Sequence, residues 1–169
     1  MNPERPKLIL IFGLPGTGKS TLAAALANQL GVDHRNTDMV REQLGKRGQY
    51  REGDKQFIYD ELLRLAAAGL ESGNTIIVDG TFFKSSLRAP FILLAKRTGA
   101  AAKWIQVCAS GEVVKERVSK KRKYSEADYA VYMKIASEFE PLEDSSLIIF
   151  SDREGLDEMI EKSLSYINQ

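Results

Sequence analysis

The chain has 169 residues, 43% of them apolar, enough to close one hydrophobic core, and it reads as a single domain over 1–169. A formal net charge of +1 leaves no chain-wide field to draw it to nucleic acid or an anionic membrane. The single cysteine, Cys108, excludes a disulfide framework, and the polar start from Met1 to Lys7 is neither a signal peptide nor a spanning helix, so the expected location is the cytoplasm, with no membrane contact and no obligate protein partner.

In chain order, the apolar run Leu8–Phe12 predicts a buried strand. Gly13-Leu14-Pro15-Gly16-Thr17-Gly18-Lys19-Ser20-Thr21 follows, and then the apolar Leu22-Ala23-Ala24-Ala25-Leu26 inside a predicted helix Lys19–Leu30. Strand, G-x-x-x-x-G-K-[ST] and helix in succession are the phosphate-binding loop in its required setting. Gly13, Gly16 and Gly18 let the backbone turn with φ > 0 and gather N–H groups on one anion, while Pro15 stiffens the turn. Thr17 and Thr21 complete the loop, Lys19 supplies a charge for the β- and γ-phosphates, and the Ser20 hydroxyl suits Mg²⁺. ATP with Mg²⁺ is the expected cofactor pair.

A weak strand around Val32–Asn36 leads into Thr37-Asp38-Met39-Val40-Arg41, a short helix that puts Asp38 and Arg41 on one face. Asp38 there is either a base for an acceptor hydroxyl, with Arg41 clamping an anionic acceptor or the transferring phosphoryl, or an N-cap with an exposed ion pair. The glycine-rich, basic segment Gly45–Gly53 is either a flap offering Tyr50 for stacking or an ordinary loop. Helix Asp54–Leu70 ends at Ser72-Gly73, and the strand Thr75–Val78 runs into Asp79-Gly80-Thr81. Asp79 is either a Mg²⁺-supporting carboxylate at a strand end or part of an Asp-Gly turn. Arg88 opens a helix Leu87–Thr98 with Pro90 in its first turn, and either returns to the cleft as an acceptor ligand or is solvated.

The strand Trp104–Val107 precedes Cys108 and a basic helix Glu112–Arg122. Its cluster Lys120-Lys121-Arg122-Lys123, with Arg117, reads as a lid over about 111–130 that covers a triphosphate, as a nucleic-acid patch, or as a solvated helix. Ser125 with Asp128 suggests a capping box for a helix Glu126–Phe139; strand Leu147–Phe150 and helix Leu156–Ile167 close the chain. His34 reads as a strand-edge polar residue and Trp104 as core. Strands alternating with helices predict an α/β three-layer fold, with about five parallel strands and helices on both faces. In such sheets ligands lie beyond the carboxyl ends of the strands.

These motifs together resemble small P-loop kinases, above all the AAA-type predicted kinases similar to the kinase domain of polynucleotide 5′-hydroxyl kinase. Chloramphenicol phosphotransferase and the zeta-toxin kinases are more distant. The resemblance rests on Gly13–Thr21, Asp38-x-x-Arg41, Val78-Asp79-Gly80-Thr81 with Arg88, Val107-Cys108-Ala109, Glu116-Arg117, Ser125-Glu126-Ala127-Asp128 and Phe139-Glu140-Pro141-Leu142. It implies a P-loop NTPase fold with a small helical lid, and transfer of a phosphoryl group from ATP to a hydroxyl of a small molecule or a nucleic-acid 5′ end. By it Asp38 is the base, Arg41 holds the acceptor side, Asp79 helps position acceptor or metal, Arg117 lies along the adenine, and Lys121 or Arg122 reaches the phosphates. An adenylate-type monophosphate kinase is the alternative enzyme, although Gly80-Thr81-Phe82-Phe83 stands where those carry Gly-Phe-Pro-Arg. A hydrolytic or non-catalytic ATP-binding module is the alternative outside the kinases.

Overall fold

The computed structural model describes residues 4–120, 126–143 and 145–169. Strands β1 (Lys7–Phe12), β2 (Asp33–Asn36), β3 (Ile76–Gly80), β4 (Ala101–Cys108) and β5 (Leu147–Phe150) form one sheet in the order β2-β3-β1-β4-β5. Every pairing is parallel. The helices are α1 (Lys19–Leu30), α2 (Thr37–Gln43), α3 (Glu52–Glu71), α4 (Ser85–Thr98), α5 (Gly111–Lys120), α6 (Glu126–Glu138) and α7 (Leu156–Ile167).

β1 lies at the centre because its side chains feed two cores. Leu8, Leu10 and Phe12 point into a cluster with Ile58 and Leu62 of α3, Phe91 of α4, Trp104 of β4 and Ile135 of α6. Ile9 and Ile11 point the other way, onto Leu22 and Leu26 of α1, Ile149 of β5 and Met159 of α7. Each such side chain contributes roughly 1.5–3 kcal/mol on full burial, which explains an apolar run with no polar alternation. The chain fills β2 and β3 on one side of β1 and then crosses to β4 and β5 on the other. The carboxyl end of β1 is therefore the switch point at which such sheets bind ligands.

Helices α1 and α7 have the bounds expected from their sequence signals, and Gly31 ends α1 in the left-handed region at φ 65°. Three expectations are corrected. β3 does not stop at Val78; pairing of Phe12 with Gly80 carries it through Asp79 and Gly80, so Asp-Gly is in-strand rather than a turn. Helix α4 begins at Ser85, which puts Pro90 inside the helix instead of in its first turn. β4 begins at Ala101, because Lys7 to Phe12 pair along its whole first part. Lys121, Arg122 and Lys123, expected as lid cations, and Ser125, expected in a capping box, lie outside the described residues. Among the described residues no helix is long and apolar enough to cross a membrane.

Candidate functional site

Residues 13–18 turn the chain from β1 into α1, and the turn leaves almost no room. A Cβ on Gly13, at φ 152°, would sit 2.3 Å from the carbonyl oxygen of Val107 in β4; one on Gly16, at φ 77°, would sit 3.0 Å from Val114 of α5. Glycine is required at the first by space and at the second by backbone hand as well. Thr17 is buried, and its hydroxyl donates to the Leu14 carbonyl at 2.9 Å. Gly18 caps α1 without any side-chain hydrogen bond. The first-turn N–H groups thus stay available to an anion at the positive end of the helix dipole. Pro15 is half-buried in the loop, whereas Thr21 is exposed on α1.

Lys19 reaches back over the loop and donates to the same Leu14 carbonyl at 3.3 Å. Burial holds its ammonium below the ordinary lysine value, while the carboxylates of Asp79 and Asp38 pull it back up. Lys19 is thus favoured as a cation by two carboxylates, one at the end of β3 and the other in the first turn of α2. Ser20, at the start of α1, donates to Asp79 Oδ1 at 2.9 Å. The hydroxyl and carboxylate are hard oxygen donors side by side, a pair that fits Mg²⁺, which takes few protein ligands and keeps water and phosphate oxygens. Among the described residues no group of three or more His, Cys, Asp or Glu side chains forms a denser metal cage.

Asp79 is buried at the end of β3, and its Oδ2 meets Nε2 of His34 from the edge strand β2. His34 was expected to be only an edge residue. Its place beside Asp79 comes from the β2–β3 register, which sets His34 opposite Ile77 and Asn36 opposite Asp79. No linear signal marks it.

At the amino end of α2 the cap is Asn36, whose Oδ1 accepts the Met39 N–H at 2.7 Å. The N-cap reading of Asp38 is therefore corrected. Asp38 sits two residues inside the helix with its side chain 79% exposed, 3.3 Å from Nη1 of Arg41. Arg41 itself is buried, with Nε lacking a hydrogen-bond partner and its guanidinium 4.7 Å from the centre of the Tyr50 ring. Tyr50 of the glycine-rich segment thus stacks on Arg41. The result is an exposed carboxylate beside a buried cation with donor capacity left.

The chain beyond β3 is held in an uncommon conformation. Phe82 has φ 45°, the only positive value for a non-glycine among the described residues. Its N–H donates to the buried Tyr59 hydroxyl at 3.0 Å, which lies 3.2 Å from Thr81 Oγ1. Edge-on contacts of the Phe82 ring with Tyr59, Phe91 and Trp104 hold this corner.

Arg88 is neither solvated nor bonded to Asp38, Arg41 or Asp79. It is buried, and it donates through Nη2 to the Glu140 carbonyl at 2.6 Å and through Nε to the Lys84 carbonyl at 3.3 Å. Arg88 thereby ties α4 to the segment after α6. Arg117 of α5 lies across the phosphate-binding loop. Nη1 donates to the Gly16 carbonyl at 3.3 Å and to Ser151 Oγ at 3.0 Å, and Nη2 to the Ser151 carbonyl at 3.3 Å. Ser151 in turn donates to the Thr17 carbonyl. Sequence reasoning passed over Ser151, although it directly follows the last apolar run, where chemistry is to be sought.

Uncharacterized proteins of Mycobacterium bovis and Mycobacterium tuberculosis are 34% identical to the chain over 124 residues, 66% of it. The chain spans about a quarter, 25%, of the length of these curated relatives. Among solved structures, an unliganded sugar kinase from Janibacter sp. HTCC2649 superposes with a TM-score of 0.74 at 20% identity, covering 96% of this chain and 95% of that one. The APS kinase CysC of Mycobacterium tuberculosis, in complex with AMPPNP and APS, gives 0.76 at 18%, covering 99% and 100%. A gluconokinase from Sinorhizobium meliloti 1021 gives 0.75 at 18%, covering 96% and 92%. At these identities the likeness is one of fold, the P-loop NTPase fold. Residues 8–142 match the model of the AAA domain family AAA_33, and with its phosphate-binding loop at the switch point of a parallel sheet the chain belongs to that family.

Proposed function

We propose that this chain is an ATP-dependent kinase that transfers the γ-phosphoryl group to a hydroxyl of a small molecule or a nucleic-acid 5′ end. The observation that carries the reading is the hydrogen bond from Ser20, next to Lys19 in the phosphate-binding loop, to Asp79 at the end of β3, with Asp38 in the first turn of α2. One carboxylate stands beside the Ser20 hydroxyl, and the other is released from capping duty by Asn36.

In this mechanism the N–H groups at the start of α1 and the Lys19 ammonium hold the β- and γ-phosphates. Ser20 and Asp79 would hold Mg²⁺, which supplies charge neutralisation at the phosphates. Asp38 receives the acceptor hydroxyl proton as the new oxygen–phosphorus bond forms. The bond between the γ-phosphorus and its bridging oxygen breaks, and ADP departs with the electron pair. Arg41, braced by Tyr50, holds the acceptor side and spreads the developing charge. Arg117, with Ser151, borders the nucleotide along the loop, and α5 with the segment after it serves as the lid.

The test is transfer of labelled phosphate from ATP to a panel of hydroxyl compounds, comprising oligonucleotide 5′ ends, sugars and nucleoside monophosphates. A product with the label on a hydroxyl supports the kinase reading, and a label on a monophosphate oxygen transfers the reading to the adenylate-type alternative. Release of inorganic phosphate alone, unchanged by any acceptor, refutes transfer.

A further inference from the structure

We propose that His34 is the positioning residue for Asp79. It holds Oδ2, leaves only Oδ1 to face Ser20 and the metal position, and so makes Asp79 a one-oxygen support suited to Mg²⁺ and unsuited to a two-oxygen grip on a larger cation. This rests on the reading of Ser20 and Asp79 as the metal pair.

The two side chains are withdrawn from water together: His34 is 8% exposed and Asp79 is 2% exposed. Buried polar groups of this kind persist only with partners, and each oxygen of Asp79 has its own. Oδ1 accepts from Ser20 at 2.9 Å, and Oδ2 meets His34 Nε2, the donor in the Nε2–H tautomer. A carboxylate with one partner is free to turn about χ2, whose preferences are broad and two-fold. Partners on both oxygens remove that freedom. The imidazole adds stiffness, because it is rigid and its backbone is pinned by pairing with β3. The alternation of β2 also sets His34 apart from its neighbours: Asp33 and Arg35 pair with each other at 2.9 Å on the more open face.

The consequence is chemical selection. Mg²⁺ requires near-octahedral geometry and is bound through single carboxylate oxygens and water, whereas Ca²⁺ accepts two-oxygen carboxylate ligation in a looser shell. With Oδ2 occupied, Asp79 offers the first arrangement only. Groups that orient a metal ligand in this way typically cost about 10- to 100-fold in metal affinity when removed.

Calorimetry of ADP binding, with EDTA and with saturating Mg²⁺ or Ca²⁺, separates the metal contribution from that of the phosphate-binding loop. For wild type, Mg²⁺ should strengthen ADP binding well beyond Ca²⁺. In His34→Ala the strengthening by Mg²⁺ should fall by about tenfold or more, with metal-free affinity unchanged and the preference for Mg²⁺ over Ca²⁺ reduced. His34→Gln, which keeps an N–H donor of similar reach, should recover most of both effects. Because His34 is the only histidine, its ring resonances assign themselves, and adding Mg²⁺ with ADP should shift them in wild type but not in Asp79→Asn. Equal losses with and without metal in both variants, or Mg²⁺ strengthening kept at the wild-type level in His34→Ala, overturn the proposal while leaving the metal pair standing. Absence of any Mg²⁺ effect in wild type overturns the metal pair itself, and the proposal with it.

Discussion

Asp38 and Asn36 make separable predictions, because the cap that was one of two readings of Asp38 falls to Asn36, so the base reading can be tested by itself. Asp38→Asn keeps size and hydrogen-bonding atoms and removes the charge. Its stability cost comes from two small terms: an i,i+3 ion pair whose carboxylate is exposed, about 0.2–0.5 kcal/mol, and a first-turn helix-dipole contribution of about 0.3–1 kcal/mol. The geometry supports the low end, since the carboxylate is 79% exposed and its contact with Arg41 is 3.3 Å. About 1 kcal/mol moves the melting temperature of a chain this long by about 2–4 °C. If Asp38 accepts the acceptor proton, turnover should fall by about 10²–10⁴, equivalent to about 2.7–5.4 kcal/mol at about 1.36 per decade. ATP affinity should change little. Asn36→Ala should give the opposite pattern: loss of the 2.7 Å cap to Met39 costs about 1 kcal/mol, with turnover within about tenfold of wild type. The assay is initial-rate transfer to the acceptor found in the labelled-phosphate screen, beside thermal melts and ATP calorimetry for both variants. Wild-type turnover in Asp38→Asn, or a loss in Asn36→Ala as large as in Asp38→Asn, refutes the assignment of the base.

Two further predictions concern the loop. Lys19 gives up its proton more readily folded than unfolded, where its ordinary value is 10.5. Between its folded value and 10.5 the unfolded chain binds more protons, so nucleotide-free stability rises with pH across that interval; below it the cost of a buried charge is constant. Lys19→Met should therefore raise the nucleotide-free melting temperature at neutral pH, abolish the alkaline rise, and severely weaken ATP binding. The difference between wild-type and Lys19→Met melts across the pH series, in which the upward-shifted Cys108, Tyr59 and Tyr132 cancel, checks the first two effects, and an alkaline slope equal in both proteins would contradict them. Gly13→Ala places a Cβ 2.3 Å from the Val107 carbonyl oxygen, a backbone atom that cannot step aside cheaply. Strain on the order of 2–5 kcal/mol should appear as a lower melting temperature with loss of ATP binding by calorimetry, and wild-type affinity in that variant would show that the loop adopts another path.

What the sequence determined by itself was local. Gly13 to Thr21 could be read because strand, turn and helix follow one another without a break, so every residue that shapes the loop is a near neighbour in the chain. Helices α1 and α7 were equally legible, since their end signals and apolar spacing act within a few residues. Sequence rules became ambiguous where a local pattern had two physical outcomes. Asp79-Gly80 reads as a turn until pairing with Ile11 and Phe12 of β1 satisfies the backbone and extends the strand. Asp38 reads as a cap until the chain sets the first helical residue at Thr37, which gives the capping position to Asn36. Tertiary structure alone decided the partners of the site. His34 reaches Asp79 across a separation of 45 residues, and Ser151 reaches the Thr17 carbonyl across 134. Such contacts depend on strand order and register, which are set by burying two apolar faces around β1 at once. No short stretch of sequence contains that information, because the free energy that selects the register belongs to the assembled sheet.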